Sequence, residues 1–450
     1  MRPPKPISRP DKVSLWRYLK LFRKDLLSAQ PERLYRAWMA EFKTPFFRSY
    51  LINQPELVDL VLKERPMDFP KSNRIAEGLR PLLGQSVFLT NGEHWQKQRR
   101  IIDPAFEGGR LKDSFQAMSD ATIAAAARMP IGKRVELEEQ CSHAAADVIF
   151  RTLFSIPIEH EVATEVFQLF KDHQRSQPIV NLAAFVPIPR WMPRFHPSKA
   201  KSTARKIRAL ITGLVDERQR EIEQSLASQD LATKIMTTPD PQTGELFSPE
   251  EMVDQVAIFF LAGHETSASA LAWSLYLLAA NPEWQSKVAI EAREQDLTTF
   301  GAISKLKTAR DVFREALRLY PPVPMMVRET TQTECFRDRD VPIGAQIVIS
   351  PWHLHRHSRQ WDSPDDFDPD RWKTDNGKEC MRNAYIPFST GKRVCPGAGF
   401  AMIEGPLMLA KLATEYQFAA LPDEVPEPVA HLTVRAKNGI IVEVKKRTDS

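Results

Sequence analysis

The apolar residues of this chain are most continuous between Ser248 and Asn281. Ser248-Pro249-Glu250-Glu251 reads as a helix start: serine at the cap, proline at the first helical position, and a glutamate three residues after the cap to close a capping box. The next breaker is Asn281-Pro282. The interval predicts a helix of about thirty residues, roughly 45 to 50 Å long at the usual rise. Nearly every residue after Val253 is apolar, so most faces of this helix are expected to be buried. One stretch interrupts the run. Ala262-Gly263-His264-Glu265-Thr266-Ser267 sets an acid and an alcohol in a greasy helix, where polar groups cost stability unless they have partners or a task.

Weaker periodicities place the other elements. Leu34, Trp38 and Phe42 recur at fourfold spacing and predict a helix over 31–42. Residues 46–52 alternate as a strand does, and 55–63 suit a short helix. Residues 92–100 look helical, with Trp95 and Arg99 one turn apart on one face. An alanine-rich helix is predicted over 114–129 and a second over 135–154, with Cys141 among small core residues. Over 177–197, prolines and the aromatic and apolar Phe185, Trp191, Met192 and Phe195 follow neither regular period. Glu315 and Arg318 share a face at i, i+3 of a helix ending at Tyr320, before Pro321-Pro322. Near the C-terminus, 431–435 and the alternating Ile441, Val442 and Val444 flank Lys437-Asn438-Gly439-Ile440 and predict a hairpin.

Composition narrows the class. At 450 residues the prior is two or three domains, yet no linker or low-complexity tract divides the chain, so one catalytic unit over 1–450 is expected. Hydrophobic residues make up 42% and charged ones 26%, which is globular. The net charge of +5 is spread over 62 basic and 57 acidic residues, which gives no basis for nucleic-acid binding. No stretch reaches the roughly twenty apolar residues of a membrane span, and Met1-Arg2-Pro3-Pro4-Lys5-Pro6 leads into no apolar signal segment, so a soluble, cytoplasmic protein is expected; a monomer is the default expectation, which the sequence does not decide. The cysteines at 141, 335, 380 and 395 are too scattered for a disulfide framework.

The candidate chemistry centres on Phe388-Ser389-Thr390-Gly391-Lys392-Arg393-Val394-Cys395-Pro396-Gly397. Glycines let the backbone turn closely around the sulfur, and a helix predicted from Ala398 places its positive end beside it, favouring a thiolate. One thiolate without a second cysteine or histidine at finger spacing argues against zinc, which wants three or four protein ligands. A haem iron needs one axial ligand. The stretch resembles the signature of the cytochrome P-450 superfamily at all its fixed positions: Phe388, Gly391, Arg393, Cys395 and Gly397.

The resemblance covers essentially the whole chain and implies a mainly α fold with small β-sheets, binding one haem b with Cys395 on the iron. It identifies the Ser248–Asn281 helix with the family's long central helix, in which Thr266 hydrogen-bonds dioxygen and Glu265 relays protons as a general acid. Ala262 and Gly263 would leave room beside the haem face. Trp95, Arg99, Arg328 and Arg393 match positions that contact the haem propionates, with Phe388, Gly391 and Gly397 shaping the ligand loop. His353 or His355 would add a neutral donor, and the sequence does not choose between them. Glu315, Arg318 and Arg371, the last in Phe367-Asp368-Pro369-Asp370-Arg371-Trp372, match an interlocked structural network behind the haem.

The aligned apolar positions Val87, Phe88, Phe259, Phe260, Val323, Met325 and Met326 are the candidate substrate wall, although each is also a residue type that ordinary cores use. Lys71 and Arg74 are either exposed solvated charges or partners for a substrate carboxylate, and the second reading points to a fatty acid or similar lipophile among the fatty acids, terpenoids, steroids and aromatics the chain is compatible with. The expected reaction is oxidation of a hydrophobic small molecule by O2 with electrons from a separate ferredoxin or flavodoxin, since no reductase module is fused. Lys97, Arg100, Arg382 and Lys392 are candidates for its basic docking face. Two alternatives stay open: a peroxide-driven peroxygenase, which would not need the Glu265-Thr266 pair, and a non-enzymatic haem-thiolate sensor, for which no output module is left over.

Overall fold

The computed structural model describes residues 1–43, 48–107, 109–176, 198–430 and 432–448; the predicted irregular stretch 177–197 lies outside them. Six helices position the candidate site: α1 (Gly92–Phe106), α2 (Phe115–Arg128), α3 (Leu137–Phe154), α4 (Pro249–Ala280), α5 (Lys307–Leu319) and α6 (Ala398–Glu415). The chain packs as two compact units. One comprises Met1–Phe69, Thr122–Ala144 and Glu265–Ser450, the other Pro70–Ala121 and Ala145–His264, so the division falls inside α2, α3 and α4.

Helix α4 begins as its sequence dictates. The Ser248 hydroxyl accepts from the Glu251 N–H at 3.2 Å while the Glu251 carboxylate accepts from the Ser248 N–H at 2.9 Å, a reciprocal capping box. At the other end Asn281 turns its amide back to the Leu277 carbonyl at 2.7 Å, ahead of Pro282. None of the described helices is long and apolar enough to cross a membrane.

The first unit holds the sheets. A four-stranded sheet runs β1 (Met39–Lys43), β2 (Arg48–Ile52), β7 (Gln346–Ile349), β4 (Met326–Glu329), antiparallel except where β2 meets β7. A three-stranded sheet is formed by β3 (Gly132–Glu136), β11 (Ile441–Lys446) and β8 (Tyr416–Ala420). Two further pairs are β5 (Glu334–Phe336) with β6 (Arg339–Val341) and β9 (Pro428–Ala430) with β10 (Val434–Ala436). The four-stranded sheet packs Tyr50, Ile52, Ile347 and Ile349 onto Val61, Leu62 and Trp372. The core of the second unit gathers Ile101, Phe150, Phe170, Ile207 and Phe260.

Three predicted elements differ. Residues 31–42 are no helix: a 3₁₀ turn, Glu32–Tyr35, leads into β1, because pairing with β2 buries Ala40 against Leu51 and outweighs the fourfold spacing. The helix predicted over 135–154 starts only at Leu137, since Val135 and Glu136 pair with β11. The C-terminal segments do not form one hairpin. Gly439 makes the predicted turn at φ +80°, but β10 pairs with β9 and β11 with β3 and β8.

Candidate active site

The loop before α6 is folded tightly around its cysteine. The Cys395 N–H donates to the Phe388 carbonyl at 2.9 Å and the Val394 N–H to the Gly391 carbonyl at 3.1 Å. Ser389 and Gly391 both take positive φ, 61° and 68°. A Cβ on Gly391 would come within 2.2 Å of the Leu62 carbonyl oxygen, so only glycine closes the loop onto this backbone. The Ala398 N–H returns to the Cys395 carbonyl at 3.2 Å as α6 begins, leaving Cys395 exposed beside a helix N-terminus, as a ligand sulfur must be.

Two guanidiniums are buried in the same unit. Arg393 belongs to the loop and Arg328 to β4. Nη1 of Arg328 donates only to the neighbouring Val327 carbonyl at 3.2 Å, and its Nε has no hydrogen-bond partner among the described residues. Burial first, and the charge of Arg393 second, push Arg328 down to about 10. A buried cation with no carboxylate partner among the described residues, whose neighbour adds further positive charge, calls for an anion. The residues therefore fit haem: one exposed thiol for the iron and two buried guanidiniums for its carboxylates. No cluster of three or more candidate metal-ligating side chains occurs among the described residues.

Helix α4 carries an open stripe. Most of its residues are buried, but Phe259, Gly263, Thr266 and Ser267 are half-buried and Ala262 is exposed, at the spacing of one helical face. Gly263 is small for an additional reason: a Cβ there would lie 2.4 Å from Cδ1 of Ile149 on α3. Glu265 is buried, and its Oε1 accepts from the Thr433 hydroxyl at 2.7 Å and from Nη2 of Arg435 at 3.1 Å. Ser267 donates to Oε2 of Glu404, a carboxyl on α6 that burial pushes up to about 7. Sequence reasoning missed Thr433, Arg435 and Glu404. Only Glu404 gave a signal, an acid within an apolar helix.

Two of the candidate wall residues belong to cores instead. Phe260 is fully buried, with ring centroids 4.8 Å from Phe150 and 4.4 Å from Phe170, one residue and 100° around the helix from the open stripe. Met326 packs against the core of the four-stranded sheet. Val323 and Met325 are half-buried, Val87 is buried with its N–H on the Gln255 side chain at 2.9 Å, and Phe88 is exposed.

In the second unit Trp95 is buried on α1, with the Arg99 guanidinium 5.9 Å from its ring. Arg99 also ion-pairs with Asp103 one turn on, at 2.6 Å. Lys71, proposed from sequence as a carboxylate anchor, donates to the Val87 carbonyl at 2.6 Å and lies 5.9 Å from the rings of both Phe88 and Trp95. Its ammonium binds protein backbone.

Glu315 and Arg318 on α5 are wholly buried and joined bidentately at 2.8 and 2.9 Å. Arg371 reaches the same carboxylate at 3.2 Å, and Arg318 also donates to the carbonyls of His355, Pro364 and Asp366. His355 is tied to the approach of the ligand loop, its Nε2 accepting from the Ile386 N–H at 2.9 Å. His353 shares a 2.8 Å hydrogen bond with Ser350 and packs on Tyr35. Burial drives both imidazoles down to about 3, so both are neutral core groups.

Of the candidate basic face, Lys97 pairs with Glu245 at 2.7 Å and Arg100 bidentately with the buried Asp240 at 2.6 and 2.9 Å. Arg382 and Lys392 are exposed and form no ion pair among the described residues.

The geometry of loop, guanidinium pair and polar-interrupted helix defines a haem-thiolate protein. A sequence profile of the cytochrome P450 family matches residues 33–444, and the chain belongs to that family. It is similar to a cyclooctat-9-en-7-ol 5-monooxygenase of Streptomyces melanosporofaciens, 33% identical over 83% of this chain and 81% of the relative. It is similar also to a cytokinin hydroxylase of Arabidopsis thaliana, 29% identical over 88% of this chain and 78% of that one. Its fold matches the crystal structure of the cytochrome P450DA haem domain with a TM-score of 0.80 at 23% identity, covering 99% of each chain. The protein is a cytochrome P450 monooxygenase with haem as its cofactor.

Proposed function

We propose that this monooxygenase oxidises a neutral, hydrophobic small molecule with O2 and two electrons from a separate ferredoxin- or flavodoxin-type donor. The observation that carries the reading is the exposed Cys395 thiol in a unit that also buries Arg328 beside Arg393. When bound, haem supplies the activation of dioxygen and its insertion into the substrate. The chain's own residues do the rest. In the first unit Cys395 would ligate the iron, Arg328 and Arg393 would pair with propionates, and Glu315, Arg318 and Arg371 hold the framework rigid; in the second unit Trp95 and Arg99 are the candidates for a propionate contact. Thr266 on the open stripe and the buried Glu265 next to it manage protons, Phe259 and Ala262 present apolar surface on the same stripe, and Val323 and Met325 are the half-buried apolar candidates of the first unit.

The Lys71 ammonium, the proposed carboxylate anchor, already gives one N–H to the Val87 carbonyl, and a neutral substrate needs no such anchor. The relative at 33% identity is named for acting on an alcohol, which agrees with that preference. The test is a visible-spectrum titration of the haem-loaded protein with terpenoid alcohols, steroids, small aromatics and fatty acids of matched size. A low-to-high-spin change with a neutral class is expected. A change with fatty acids alone would overturn the substrate assignment.

A further inference from the structure

Glu265 does not stand alone on its helix. Its Oε1 takes two donors from the C-terminal part of the chain, the Thr433 hydroxyl at 2.7 Å and Nη2 of Arg435 at 3.1 Å. Its Oε2 makes no hydrogen bond with the described residues. The segment that brings these donors is itself anchored. The Ser269 hydroxyl, one turn beyond Glu265 on α4, donates to the Val434 carbonyl at 2.5 Å, and the Val434 N–H donates to the Pro322 carbonyl at 2.9 Å. Two residues after Val434, Ala436 gives its N–H to Oε1 of Glu138 at 2.8 Å. Thr433 is buried and Arg435 half-buried, so the clamp reaches from the packed interior towards solvent.

A carboxylate that passes protons must swing little and present one oxygen consistently, because misplacement by about 1 Å costs roughly a hundredfold in rate. Two donors on one oxygen achieve this. They fix the rotation of the carboxyl group, and the guanidinium supplies charge complementarity to its ionised form. We propose that Thr433 and Arg435 are positioning residues for proton transfer by Glu265, holding Oε1 so that Oε2 is the oxygen that gains and releases the proton. The inference rests on the proton-handling role proposed for Glu265.

The experiment compares haem-loaded native protein with E265Q, T433V, R435Q, R435K and the double variant E265Q/R435Q. A surrogate ferredoxin and ferredoxin reductase supply electrons from NADPH without added substrate, and dioxygen consumed and hydrogen peroxide released are both measured. Infrared difference spectra against E265Q isolate the Glu265 carboxylate band independently of turnover. T433V and R435Q should each shift that band and raise the peroxide share, with dioxygen consumption slowed roughly tenfold or more. R435K, which keeps the charge, should recover part of the loss, and R435Q should add nothing in the E265Q background. A variant that merely loosens the fold would lose haem without moving the peroxide share. An unmoved band and native peroxide share in T433V and R435Q, with E265Q altered, would overturn the positioning role and leave the acid role standing. An unaltered E265Q would remove both, and additive effects in the double variant would overturn the positioning role.

Discussion

Ser267 donates its hydroxyl to Oε2 of Glu404 at 2.8 Å, joining the helix that carries Glu265 and Thr266 to the helix that begins three residues after Cys395. Burial dominates the environment of Glu404 and raises it from the ordinary 4.5 to about 7, with the Ser267 bond opposing the shift. The folded value lies above the unfolded one, so burying the charged form costs stability progressively between those two values and by a constant amount above them. E404Q keeps an acceptor for Ser267 but cannot ionise. Near pH 4 it should nearly match the native protein, and above about pH 8 it should be more stable by about 3 kcal/mol. Melting temperatures of the two proteins across that range provide the check; a difference independent of pH would refute it.

The buried network around Glu315 predicts a loss of cofactor from changes outside the ligand loop. Arg318 is fully buried and makes five hydrogen bonds, to the Glu315 carboxylate and to three carbonyls. Removing Glu315 leaves two buried guanidiniums without their shared carboxylate, and removing Arg318 strips that carboxylate of its bidentate partner and frees three carbonyls, so breaking the network on either side costs about 3 to 5 kcal/mol. Glu315→Ala and Arg318→Ala should therefore be purified with little haem, read from the ratio of haem to protein absorbance. Full loading in both variants would sink the assignment.

Arg328 predicts a more local effect. Its guanidinium is buried with no carboxylate partner among the described residues and is pushed down to about 10 by burial and then by Arg393. If haem carboxylates supply that partner, R328Q removes a charge-assisted bond worth about 1.5 to 3 kcal/mol. Haem transfer to an excess of apoglobin should then accelerate at least about tenfold. An unchanged transfer rate would place the propionates elsewhere.

Docking of the electron donor separates the four basic residues singled out from the sequence. Lys97 and Arg100 are spent on Glu245 and the buried Asp240, whereas Arg382 and Lys392 remain exposed in the unit that carries Cys395. Reversing both of the latter to glutamate should slow reduction by an acidic donor and flatten its dependence on ionic strength. Stopped-flow reduction across a salt series tests this. Equal kinetics in native and reversed proteins would exclude that face.

Much of the site was legible because it is local. The capping box of α4, the polar break at Glu265-Thr266 and the spacing of Phe388 to Gly397 each lie within a few residues. What escaped depends on partners far along the chain. Thr433 and Arg435 meet Glu265 from 168 and 170 positions away, and no periodicity encodes that. Phe259 and Phe260 look alike in sequence, yet 100° of helical rotation sends one to the open stripe and the other between Phe150 and Phe170. The misplaced helix over 31–42 has the same origin, since strand pairing with β2 decides it.

The two glycines of the ligand loop show what structure adds to a motif whose positions all look equally fixed. Gly391 sits at φ +68°, and a Cβ there would meet the Leu62 carbonyl oxygen at 2.2 Å and the Leu62 carbonyl carbon at 2.9 Å. Backbone cannot yield as a side-chain end can, and the left-handed conformation alone costs about 1 to 2 kcal/mol in an alanine. Gly397 sits at φ −80°, and its added Cβ would find only Sγ of Cys395, at 3.9 Å, an ordinary contact. G391A should therefore fail to hold haem, while G397A should keep it, with at most a shifted absorbance maximum as the extra methyl group crowds the sulfur. The carbon monoxide difference spectrum distinguishes them. Native haem content in G391A would mean that the loop does not need its close approach to Leu62, and loss of haem in G397A would assign to the second glycine a steric demand this loop conformation does not contain.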